Sequence, residues 1–120
     1  MRAPTDLHAE IAVRLFGWRW DAAVQLWRDP DGVYRSAAEF RRRLKAYTTD
    51  PAATALVWQW VETRGMPVLA VEYAYGDEAI TCGLVYARYQ PEGTGATWPE
   101  ALCRAALALA EALDSPRTRH

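Results

Sequence analysis

The chain has 120 residues, 51% of them hydrophobic, with fourteen basic side chains against fifteen acidic ones and a net charge of −1. That length supports one compact core, and near-neutrality removes any whole-molecule field that would gather nucleic acid or an anionic membrane. No stretch approaches the run of about 20 apolar residues that a membrane span needs, and no apolar run follows a charged start, so a soluble intracellular protein is expected.

Thr5 reads as the N-cap of a first helix in which Leu7, Ile11 and Leu15 recur every four residues, with Ala12 and Phe16 beside them, until Gly17 stops it. Trp18 to Ala37 reads as two strands about Asp29-Pro30-Asp31-Gly32, where proline fixes one turn residue and glycine supplies a positive φ. The next segment, AEFRRRLKA, has Phe40 and Leu44 four apart amid charge, which fits either a single helical turn or an exposed excursion. Asp50 followed by Pro51 is the clearest helix start, because a carboxylate caps free N–H groups and proline suits the first turn. This second helix runs to about Arg64, ahead of Gly65, with Ala53, Leu56, Val57, Trp60 and Val61 as its apolar stripe.

Met66 to Tyr75 and Ala79 to Tyr89 read as a second hairpin about Gly76-Asp77-Glu78. Both faces of its strands are largely apolar, which predicts a sheet covered on both sides. QPEGTGATW, from Gln90 to Trp98, reads as an exposed loop. Thr97 with Glu100 forms a capping box for a last helix from Trp98 to about Leu113, with Leu102, Ala106, Leu109 and Leu113 inward. The expectation is an α+β fold: a three-layer α-β-α sandwich around a mainly antiparallel four-stranded sheet from two hairpins, in the order α-ββ-α-ββ-α. It forms one domain over residues 1–120, with a core of about 5–113 and a frayed tail, 114–120.

Three stretches, IAVRLFGWRW, YTTDPAATALVWQWVE and ALCRAALALAEAL, resemble in order and separation the phage ABA sandwich domain, a family of small proteins encoded by bacteriophages and prophages. The resemblance implies an α-β-α sandwich and a phage or prophage setting, hence the host bacterial cytoplasm. It brings no activity and no catalytic residue. The basic insert before Tyr47 and the loop around Gly93 depart from the pattern.

The turn Tyr47-Thr48-Thr49-Asp50 has two readings. The plainer one is a helix cap with a tyrosine packed beneath it. The functional one is an anion site, in which hydroxyls and free N–H groups at a helix N-terminus hold a phosphate with help from Arg41, Arg42, Arg43 and Lys45. Asp50 counts against an anion there. Trp60 falls in the core stripe, whereas Trp58 points about 160° away from it and is either an interface residue or a pocket wall. Six tryptophans and six tyrosines are mostly core filler in such a fold, leaving an exposed aromatic surface to some of Trp18, Trp20, Trp27 and Trp58. The basic cluster reads as a solvated face.

Enzyme chemistry finds little support. His8 and His120 lack metal or triad spacing, and there is neither a Gly-rich phosphate loop nor a nucleophile elbow. Cys82 and Cys103 lack Cys-x-x-Cys spacing and read as small buried thiols. Glu72, interrupting an apolar strand, reads as a salt-bridge partner of Arg88 across the hairpin. The expected function is non-enzymatic binding by a homo-oligomer. It would sequester a small anionic ligand, a nucleotide-derived host-defence signal, at Tyr47, Thr48, Thr49, Arg43, Trp18 and Trp58. The alternative is a module that docks on a host or phage protein through an aromatic surface. No metal, no cofactor, no membrane and no nucleic-acid partner are expected.

Overall fold

The computed structural model describes residues 6–114 and shows an α+β chain of four helices and two three-stranded antiparallel sheets. The expected N-cap, Thr5, and the tail 115–120 lie outside the described residues. The chain divides into two compact units, Met1–Lys45 and Ala46–His120. The expected four-stranded sheet and α-ββ-α-ββ-α order are corrected: two short strands, each without a sequence signature, turn both hairpins into three-stranded meanders.

In the first unit α1 (Leu7–Phe16) starts at Asp6, whose carboxylate accepts from the Ala9 N–H at 2.8 Å, and ends at Gly17 with φ +85°. The strands β1 (Arg19–Asp21), β2 (Leu26–Arg28) and β3 (Tyr34–Arg35) pair in chain order. The turn at Asp29–Gly32 joins β2 to β3 as the residues predicted, with Gly32 at φ +87°. The unforeseen turn is Ala22–Gln25, which carries no glycine or proline and closes with Gln25 at φ 56°. The ambiguous segment is helical: α2 (Ala37–Arg43) is capped by the Ser36 hydroxyl on the Glu39 N–H, and it exposes Arg41, Arg42 and Arg43.

Aromatic packing holds this unit. Trp27 and Phe40 are fully buried and stacked, with ring centroids 3.8 Å apart and planes within 9°. Trp18 meets Phe40 edge-on at 5.1 Å and Trp20 meets Trp27 edge-on at 5.4 Å, while Ala9 and Ala12 complete the cluster. Asp29 fastens the β2–β3 turn, its carboxylate accepting from the Asp31 and Val33 N–H groups at 2.9 Å and from the Arg35 guanidinium at 3.1 Å.

The second unit contains α3 (Pro51–Glu62), β4 (Ala70–Tyr75), β5 (Ile80–Val85), β6 (Glu92–Gly95) and α4 (Trp98–Asp114). The three strands form an antiparallel meander, β4-β5-β6. The expected exposed loop therefore holds a strand, and its glycines explain why. A Cβ on Gly93 would fall 2.1 Å from the Ala105 nitrogen, and one on Gly95 would fall 2.7 Å from Glu100, so β6 lies directly on the backbone of α4. Ala101 and Ala105, both buried, present the matching small surface. Strand formation here is a tertiary effect that overrides the poor strand propensity of glycine.

Register fixes the faces of this sheet. Tyr73, Cys82 and Gly93 stand in one row, and Glu72, Gly83 and Glu92 in the next row on the opposite face. α4 packs over β5 and β6, and α3 packs beside α4. On the opposite face Glu72, Ala74, Glu92 and Thr94 are exposed, so the expected covering of both sides is not met. The apparent second apolar face of β4 came from Ala70 and Ala74, which are small enough to stand in water. Glu72 sits opposite Gly83, whereas Arg88 lies beyond β5, so the register does not set up the expected Glu72–Arg88 cross-strand pair. Among the described residues no helix is long and apolar enough to cross a membrane.

Candidate functional site

The Tyr47–Asp50 turn is built as a cap. The Thr49 and Asp50 N–H groups both donate to the Ala46 carbonyl, the Ala52 N–H donates to the Asp50 carboxylate at 3.1 Å, and the Thr54 N–H donates to the Asp50 carbonyl. Pro51 has no N–H to offer. The donors that an anion at this helix end would use are thus largely engaged inside the turn.

Tyr47 is buried, and its phenol is pushed up to about 12 by that burial. Its carbonyl accepts from the Thr54 hydroxyl at 2.6 Å and from the Cys103 thiol at 3.6 Å, which ties the turn to α3 and α4. Burial also raises both thiols, Cys103 to about 12, so both cysteines stay protonated and inert at neutral pH. They are the small buried thiols the spacing suggested.

Beside this turn lies a groove of about 470 Å³. One wall is Thr49, Pro51, Thr54, Ala55 and Trp58, from the cap and first two turns of α3. The floor is Val71 and Tyr73 of β4, and the far wall is Trp98, Pro99 and Leu102 of α4. Helical geometry explains Trp58: the stripe that buries Ala53, Val57 and Val61 turns position 58 off the core, where it becomes the pocket wall foreseen as one of its two roles. Trp60 is only half-buried, against the expected core position, and carries the Arg64 guanidinium 4.2 Å above its ring. Tyr73 meets Trp98 edge-on at 6.2 Å, and Trp98 is 49% exposed at the rim. Burial raises the Tyr73 phenol, which keeps it neutral.

Of the six expected ligand-binding residues, Thr49 and Trp58 line this groove. Tyr47 lies buried beneath the turn and Thr48 is half-buried within it, neither among the lining residues. Trp18, edge-on to Phe40, and Arg43, exposed at the end of α2, belong to the first unit. Tyr73, Trp98, Pro99 and Leu102 were not foreseen, because they come from separate elements and share no spacing. No charged side chain is among those lining the groove.

Its size falls in the range of small-ligand sites, and three rings with little polar surface suit a flat apolar group. Among the described residues no group of three or more His, Cys, Asp or Glu side chains is placed to hold a metal ion. Compared with family models, curated proteins and solved structures, the chain matches none.

Proposed function

We propose that this chain acts by non-enzymatic binding and holds the flat, uncharged part of a small molecule in the groove between α3, β4 and α4. The observation that carries the reading is the convergence of Trp58, Tyr73 and Trp98 around about 470 Å³ of space without a charged lining residue. Offset or edge-on ring contacts of this kind contribute about 0.5–1.5 kcal/mol each beyond area burial. A phage accessory protein that sequesters a nucleotide-derived defence signal in the host cytoplasm, the setting implied by the resemblance to the phage ABA sandwich domain, fits with one restriction. The base would occupy the groove and the phosphates would stay outside it. Homo-oligomerisation would draw on Leu69 and Tyr75, 61% and 71% exposed at the two ends of β4. In a three-layer sandwich, a separate layer would cover the open face bearing Glu72 and Thr94, because Leu69 and Tyr75 alternate with Glu72 along the chain and share the groove side of β4 with Tyr73.

The test is tryptophan fluorescence and native mass spectrometry of the purified chain with matched nucleosides and nucleotides. Saturable binding of nucleosides, at least as tight as that of their phosphates and lost in Trp58→Ala, supports the reading. Tighter binding of the phosphates, unaffected by Trp58→Ala, removes it. If small rings fail while an aromatic-bearing protein partner is retained through Trp58, the docking-module alternative stands instead.

A further inference from the structure

The groove does not end at Trp58. Beyond that ring a second hollow of about 340 Å³ opens, bordered by Glu62, Met66, Pro67, Val68 and Ala70, and both hollows share Trp58 and Val71. Their chemistry differs. The first has no charged lining residue, whereas Glu62 is the charged side chain bordering the second. Glu62 follows Trp58 by four residues on α3, so its carboxylate projects from the same helix face about 6 Å further along.

Glu62 has no ion-pair partner among the described residues, and the closest cation in sequence, Arg64, is drawn to the Trp60 ring and donates to the Trp60 carbonyl at 2.7 Å. Residues 46–114 carry nine acidic and three basic side chains, so this unit's own charge favours a positive group over a negative one. The helix N-termini at the first hollow oppose this only weakly, because Asp50 and Glu100 sit at them.

Resting on the groove reading above, we propose that the two hollows form one site for an arylalkylamine. The ring lies among Trp58, Tyr73 and Trp98, and the ammonium reaches past Trp58 to Glu62, about one helical turn away. The face of Trp58 adds cation–π attraction on the way. Glu62 is exposed, so its charge selects among ligands more than it anchors them.

4-Phenylbutylamine, 4-phenylbutanol and 4-phenylbutyrate share ring and chain and differ only in the end group. Titrated into the full chain at low salt and followed by tryptophan fluorescence, the amine should bind about two- to fivefold more tightly than the alcohol, and the acid more weakly than either. Glu62→Gln should erase the amine's advantage. Glu72→Gln, an equal loss of charge on the opposite face of the sheet, should keep it. Equal affinities for the three probes, a preference for the acid, or an advantage that survives Glu62→Gln would overturn the inference and leave the groove reading standing. Failure of all three to bind would remove both.

Discussion

The two units solve the same packing problem with opposite materials. Residues 6–45 close around rings, Trp27 stacked on Phe40 in the core with the partly buried Trp18 and Trp20 edge-on against them, while Tyr34 stays 47% exposed. Residues 46–114 close where β6 lies on the backbone of α4 through Gly93, Gly95, Ala101 and Ala105, and Trp58, Tyr73 and Trp98 are left to wall a groove. Charge divides the same way: six acidic and eight basic side chains in 6–45, against nine and three in 46–114. The tryptophans of the first unit therefore pack in or against its core, whereas Trp58 and Trp98 of the second wall a groove, a difference that a whole-chain count of rings cannot reveal.

Gly93→Ala breaks the comparison most directly. Its Cβ would meet the Ala105 nitrogen and the Arg104 carbonyl carbon at 2.1 and 2.5 Å, and helix backbone cannot step aside as a side chain end would. We expect a loss of about 4 kcal/mol or more by chemical denaturation, above the usual 1–3 for overpacking. Phe40→Ala should cost the first unit about 3 kcal/mol, because truncation leaves Trp27 without its stacking partner and Trp18 without its edge contact. Amide exchange should report the first loss in residues 46–114 and the second in 6–45. If each variant opened both units equally, the two packing modes would belong to one cooperative core and the contrast would fail.

How much of this was legible follows from where each signal resides. Helix starts at Asp50 and Thr97, and the turn at Asp29–Gly32, are local chemistry, and the residues announce them. α2 was ambiguous because seven residues form a helix here only with the Ser36 cap and the Phe40 stack. β6 was invisible, since glycine and threonine in Glu92–Gly95 resemble a loop until α4 supplies the surface they fit. In the site, Trp58 could be found from its angle on the helix. Tyr73 and Trp98 could not, because they meet it only through tertiary convergence of β4 and α4.

Acid should separate the units next. Hydrogen bonds from the Val33 N–H and the Arg35 guanidinium hold the Asp29 carboxyl below its ordinary value of 3.8, and the Ala9 N–H and Arg41 do the same for Asp6. A carboxyl depressed by folding contributes stability at pH above its unfolded value, and that contribution is lost as pH falls through its folded value. The first unit should therefore lose stability below about pH 4, measured as its melting temperature between about pH 5 and pH 2. Asp29→Asn should flatten that slope. An unchanged slope would assign the acid sensitivity elsewhere.

The smallest expected effect lies at the groove's rim. The Thr97 hydroxyl accepts from the Glu100 N–H at 3.4 Å, a long bond, while the Glu100 carboxylate reaches back to the Ala96 N–H at 3.1 Å. The reciprocal bond of a capping box goes one residue further back than the sequence pattern implies, and it survives loss of the hydroxyl. Thr97→Ala should cost about 0.5–1 kcal/mol, the low end for an N-cap, and should leave ring binding intact because Thr97 does not line the groove. Glu100 also lies against Gly95 of β6, so this corner joins strand to helix. A loss above about 2 kcal/mol, the top of the range for a cap, would make it an anchor of the close β6–α4 approach. The small-residue packing of the second unit would then depend on a polar corner as well as on its glycines.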